Sequence, residues 1–122
     1  MRVTKIDIAS NRPAELAAFY QDVLGIPGSP TGNDCHLLRI GDTELFLCPR
    51  SVAGVTADAA GVHQLNVAGR WDFDAIRSAA RQRGCKAELA TFGSGPPRLC
   101  VWDPEGNPVV LLEEVRQEGT HE

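Results

Sequence analysis

Residues 3–9, VTKIDIA, place Ile6 and Ile8 on one side and Lys5, Asp7 and Ala9 on the other, a period of two that predicts a half-buried strand. The period then changes. Leu16, Phe19, Tyr20 and Val23 recur at spacings of three and four, which predicts a helix running to about Leu24 with one apolar stripe. Asn11 is its candidate N-cap, Pro13 suits its first turn, Glu15 lies near the positive end of its dipole, and Gly25 is its C-terminal stop. Pro27, Gly28 and Pro30 predict a loop. Residues 35–40 and 43–48 are short strands around Gly41-Asp42, a pair suited to a two-residue primed turn. That turn fixes a register with Ile40 opposite Thr43, Arg39 opposite Glu44, Leu37 opposite Phe46 and Cys35 opposite Cys48.

The small, weakly patterned residues 51–60 predict a linker, after which the same order restarts. Residues 62–68 form a strand with Leu65 and Val67 on one face and Gln64 and Asn66 on the other. Residues 72–83 form a helix with Phe73, Ile76 and Ala80 inward, and Gly84 ends it. Residues 86–92 and 98–102 are strands separated by the loop GSGPP. The turn Asp103-Pro104-Glu105-Gly106-Asn107 then leads into an apolar strand from Pro108. Lys5 to Gln64 and Gly25 to Gly84 are both offsets of 59, so strand and helix superpose without a gap, whereas Glu44 to Val110 is an offset of 66. The simplest organisation is a first module over 1–50, a linker over 51–60, a second module over 61–116 and a polar tail over 117–122, each module running strand, helix and three strands.

Composition narrows the classes. A chain of 122 residues with 43% hydrophobic and 23% charged residues is an ordinary globular domain that can bury a core. A net charge of −4, with no basic run, speaks against a nucleic-acid partner. No apolar stretch approaches the length of a membrane span or a signal segment, so a cytoplasmic protein is expected. Cys35, Cys48, Cys85 and Cys100 lack C-x-x-C spacing and sit in or beside apolar runs, which predicts reduced, partly buried thiols and no zinc site.

Two motifs carry a resemblance: Phe19-Tyr20-Gln21-Asp22-Val23-Leu24-Gly25 at the end of the first helix, and Asp103-Pro104-Glu105-Gly106-Asn107 before the last strand. With the duplicated order, they make the chain similar over nearly its whole length to the vicinal oxygen chelate superfamily, the glyoxalase, bleomycin-resistance and extradiol dioxygenase group. The resemblance implies an α+β fold of two βαβββ modules in tandem, forming a curled mixed sheet with an open cleft, a homodimer, and a small molecule or metal bound inside. It places metal ligands at Lys5, Glu44, Gln64 and Val110. Lys5 brings a cation and Val110 no donor, and Glu44 already has Arg39 as its partner, so the set does not suit a divalent metal. His63 lies one residue off the ligand position, on the other face of its strand unless a bulge at Gly61 turns it; His36 is also off that face, and His121 falls in the tail.

Period two assigns Ile6, Ile8, Leu45, Leu47, Leu65, Val67, Leu99, Val101, Val109 and Leu111 to the helix-facing side. The opposite face supplies the candidate ligand-binding residues Lys5, Asp7, Arg39, Glu44, Phe46, Gln64, Asn66, Arg98, Cys100, Trp102 and Val110, together with Leu37, Cys48, Leu112 and Glu114. The reading that follows is a metal-independent protein resembling the bleomycin-resistance members, with no cofactor and an apolar or aromatic ligand in the sheet cleft. The alternative is a lyase, isomerase or dioxygenase, either metal-dependent through Glu44, Gln64 and His63 or metal-free with Lys5, Asp7 or Glu44 as acid or base. A packed inward face with mutually neutralising charges is the plain structural alternative to both.

Overall fold

The computed structural model describes residues 3–53, 64–91 and 94–114; Gly61, Val62, His63, Phe92, His121, most of the expected linker and the expected polar tail lie outside them. The described residues fall into two compact units. The first takes everything up to residue 53 together with the turn Asp103–Asn107, and the second takes the rest.

In the first unit, β1 (Lys5–Ser10) is followed by helix α1 (Pro13–Asp22), then β2 (Gly28–Gly32), β3 (Cys35–Ile40), β4 (Thr43–Pro49) and the short helix α2 (Arg50–Ala53). The strands form a four-stranded sheet in the order β1-β4-β3-β2, in which β1 runs parallel to β4 and the other pairs are antiparallel. The apolar stripe of α1 is buried as its spacing predicts, through Leu16, Phe19 and Tyr20, and the sheet face it covers contributes Ile8, Leu38, Leu45 and Leu47. Ile26 N–H donates to Tyr20 O at 3.1 Å beyond the helix end, and Gly25 takes a φ of 69° that lets the chain leave there.

The second unit repeats the order with β5 (Leu65–Gly69), α3 (Phe73–Gln82), β6 (Ala87–Ala90), β7 (Arg98–Trp102) and β8 (Pro108–Glu113). Its sheet runs β5-β8-β7-β6, again with a parallel pair, β5 and β8, at one side. Asp72 caps α3 by accepting from Ala75 N–H at 3.1 Å, and Ile76 and Ala80 are buried. Two βαβββ modules, each with its own mixed sheet, are therefore present. Leu99, Val101, Val109 and Leu111 are almost fully buried, as the period of two requires, while Ile6 on the edge strand β1 stays 37% exposed.

The Gly41-Asp42 turn is primed as expected. Gly41 has φ 59°, and the flanking pairs are Ile40 with Thr43, Arg39 with Glu44 and Leu37 with Phe46.

Three readings need correction. The loop through Pro27, Gly28 and Pro30 contains the strand β2. It is an exposed edge strand, where a proline need not donate to a partner, and Asn33 (φ 52°) and Asp34 (φ 60°) form the two-residue turn that returns the chain into β3. The linker begins as helix α2. Asn11 is not the N-cap of α1: Arg12 occupies that position without a side-chain cap, and the Asn11 amide oxygen accepts from Arg50 Nε at 2.8 Å.

The β2 edge is closely fitted. A Cβ at Gly28 would stand 2.5 Å from both Leu37 O and Leu38 Cδ2, so the neighbouring backbone would have to move. Gly28→Ala is expected to lower stability by about 1–3 kcal/mol in urea titration. An unchanged midpoint would show that β2 yields freely.

Candidate functional site

The face of each sheet turned away from its helix is where the candidate residues lie. On the first sheet the register places Lys5 and Arg39 on either side of Glu44, and Asp7 and Leu37 on either side of Phe46. Arg39 Nη2 reaches Glu44 Oε2 at 3.2 Å, and Lys5 Nζ reaches Asp7 Oδ1 at 3.4 Å while sitting 4.6 Å above the Phe46 ring. These ion pairs are largely exposed, so each contributes little to stability. Deeper in the same face, Cys48 is buried. Its thiol is pushed up to about 12 by that burial first, then by a hydrogen bond with Cys35 and by the charge of Cys35 and Asp7, against a smaller opposing pull from Lys5.

On the second sheet Asn66 faces Val110, which faces Cys100. Asn66 is exposed, Cys100 and Arg98 are half-buried, Val110 is buried, and Gln64 is exposed just ahead of β5. Trp102 is half-buried with Lys86 Nζ 4.7 Å above its ring. Lys86 also pairs with Glu88 at 3.6 Å. Sequence reasoning began a strand at Lys86 but put none of that strand's residues on the candidate face; the spacing of two from Glu88 was the available signal.

The donor set implied for a divalent metal does not fit one. Glu44 is engaged by Arg39, Lys5 is a cation, Val110 has no donor atom, and among the described residues no three His, Cys, Asp or Glu side chains converge. His63 lies outside the described residues. His36 is half-buried on β3, opposite Leu47 and thus on the helix-facing side, beside a groove of about 480 Å³ that Arg12, Glu15 and Asp34 also line.

The two motifs meet in the first unit. Tyr20 OH donates to Asp103 Oδ2 at 3.0 Å, and Asp103 Oδ1 accepts from the N–H groups of Glu105 and Asn107, each at 2.9 Å. The Ser10 hydroxyl donates to Glu105, whose other oxygen accepts from Asn11 N–H at 3.2 Å, while Ser10 Oγ accepts from Arg12 N–H at 3.1 Å. Ser10 and a glutamate more than ninety residues away thus hold the N–H groups of Arg12 and Asn11, the two residues that lead into α1. Burial raises the Tyr20 phenol far above its usual value, and the carboxylates of Asp103 and Glu105 push it the same way. Asp103, Tyr20 and Ser10 are buried, so this cluster is a fastening and not an open site.

No protein-family model and no curated protein matches the sequence. Solved structures do. Lactoylglutathione lyase from Agrobacterium tumefaciens superposes with a TM-score of 0.71 at 17% identity over 92% of each chain. A glyoxalase-related enzyme from Fulvimarina pelagi gives 0.74 at 16% identity, over 93% of this chain and 88% of that one. A member of the glyoxalase/bleomycin resistance protein/dioxygenase superfamily from Sphaerobacter thermophilus gives 0.68 at 19% identity, over 93% and 98%.

Proposed function

We propose that this chain, whose fold is that of the vicinal oxygen chelate superfamily, is a glyoxalase/bleomycin-resistance-like protein that binds a small apolar or aromatic molecule on its open sheet face without a metal. The observation that carries the proposal is the chemistry of that face. Each sheet carries half-buried rings and aliphatic groups, Phe46 and Leu37 on the first and Trp102 and Leu112 on the second, among a few polar groups, as in small-molecule sites, while the only carboxylate at an implied ligand position is held by Arg39. On the second sheet Trp102 would offer a stacking surface, with Arg98, Asn66 and Cys100 at its margin. Lys5, Asp7, Arg39, Glu44 and Phe46 form the corresponding set on the first sheet. A homodimer in the cytoplasm completes the reading.

The test is elemental analysis of untagged protein together with a thermal-shift screen of flat aromatic compounds. The expected result is no stoichiometric metal and a rise in Tm with ring-containing compounds, with affinity falling tenfold or more in Trp102→Ala, on the order of the energy of a stacked ring. One divalent ion per chain whose removal lowers Tm would replace this reading with a metal enzyme. Unaltered affinity in Trp102→Ala would move the ligand off the second sheet.

A further inference from the structure

Of the four cysteines, none of which is in a disulfide, two are brought together by the β3–β4 hairpin. Every pair in that ladder, from Ile40 with Thr43 to His36 with Leu47, keeps one register, and its next step sets Cys35 directly opposite Cys48. Directly opposed residues on antiparallel strands have Cα atoms about 4.5 or 5.5 Å apart, and both values lie inside the range a disulfide spans. Cys35 Sγ donates to Asn33 O at 3.6 Å, and the Cys35 thiol is near enough to Cys48 to help raise it. Both are buried, at 3% and 4% exposure, so neither is presented to a second chain. Cys100 faces Glu88 and Val110, and Cys85 follows the end of α3.

We infer that Cys35 and Cys48 are a modification site: an intrachain dithiol that a hydroperoxide converts to a disulfide, closing the open end of the β3–β4 hairpin. In the first step the sulfur of one cysteine, as thiolate, attacks a peroxide oxygen. An S–O bond forms, the O–O bond breaks, and a sulfenic acid and water result when the oxidant is hydrogen peroxide. In the second step the other sulfur attacks the sulfenic sulfur, an S–S bond forms, the S–O bond breaks, and a second water leaves with the thiol proton. Two thiols lose two electrons in all, and the peroxide takes them. Burial keeps the Cys48 thiol protonated at neutral pH, so the reaction is slow and is read over hours. The bond would form in the row next to Asp7, Phe46 and Leu37, adding a covalent tie beneath the open face of the first sheet.

The experiment treats the full chain with hydrogen peroxide, unfolds it, alkylates the remaining thiols and maps peptides by mass spectrometry. The expected product has one cross-linked peptide pair joining Cys35 to Cys48, with the mass of two hydrogen atoms lost and restored by a phosphine reductant, while the more exposed Cys85 and Cys100 are recovered alkylated or with added oxygen atoms. Its Tm is expected to exceed that of the reduced chain by roughly 5–10 °C, as for a closed loop of this length. Cys35→Ser and Cys48→Ser should each abolish the cross-linked peptide pair after the same treatment. Four alkylated cysteines, added oxygen atoms in place of the cross-link, a link through Cys85 or Cys100, or a link between chains would each overturn the assignment.

Discussion

Asp103→Ala is expected to remove about 3–5 kcal/mol of stability. The side chain is 4% exposed and accepts three hydrogen bonds, from Tyr20 OH and from the N–H groups of Glu105 and Asn107. Alanine would leave all three donors without that acceptor, and a buried donor without a partner costs about 1–3 kcal/mol, partly recovered if water enters. The phenol is the worst placed, because the Tyr20 side chain is fully enclosed. Asp103→Asn provides the contrast. It keeps an acceptor oxygen for the two N–H groups, and its amide can donate to a reoriented Tyr20 hydroxyl, so a loss of only about 1–2 kcal/mol is expected. Tyr20→Phe should fall in the same smaller range. Urea or guanidinium titration of the three variants decides the matter. If Asp103→Ala lies within about 1 kcal/mol of Asp103→Asn, the carboxylate is not what holds the turn to α1.

That fastening also marks how far sequence alone reaches. The helices were legible because Leu16, Phe19 and Tyr20, and later Phe73, Ile76 and Ala80, repeat at the helical period, and because Gly25 and Gly84 end them at matching positions. The sheets were legible in their buried halves, since Leu45 and Leu47, Leu99 and Val101, and Val109 and Leu111 recur at a period of two and are almost fully buried. The Gly41-Asp42 turn fixed a register in advance because a two-residue hairpin permits little else. β2 escaped because its glycines and proline carry a loop signal. Its real signature was Asn33-Asp34, two residues tolerant of positive φ just ahead of an apolar run. Asn11 was chosen by residue type, but a cap also depends on where the chain turns and on what else reaches that end. The contacts of Ser10 and Tyr20 with Glu105 and Asp103 span 95 and 83 residues, and no local period encodes such a meeting. The two motifs could be read singly as a helix end and a turn; that one fastens the other is a property of the folded chain. The open face was the least legible part, because its composition gives the residues but not which charges pair with each other.

The second large effect concerns alkaline pH, where two buried neutral groups act in the same direction. Tyr20 is raised by its burial and then by Asp103 and Glu105, and Cys48 is raised to about 12 by its burial and then by Cys35 and Asp7. In the unfolded chain these groups titrate near their ordinary values, about 10 for tyrosine and about 8.5 for cysteine. Above those values the unfolded state has released protons that the folded state still holds, so folding stability falls as pH rises. The contribution of Cys48 is fully present below about pH 8.5 and is lost as pH climbs to about 12, at about 1.4 kcal/mol per pH unit. Tyr20 adds a second decline of similar slope that starts near pH 10. Lysines and other groups shared by parent and variant cancel when the two are compared at each pH. The stability gap between the parent and Tyr20→Phe is therefore expected to be constant up to about pH 10 and to shrink, then reverse, above it. The gap between the parent and Cys48→Ala should begin to close about 1.5 pH units earlier. Denaturant titrations at half-unit steps from pH 8 to the limit of reversible folding test both. A gap for Tyr20→Phe that stays level through the alkaline range would mean that the phenol ionises as freely in the fold as outside it, and Asp103 would then have to be solvated.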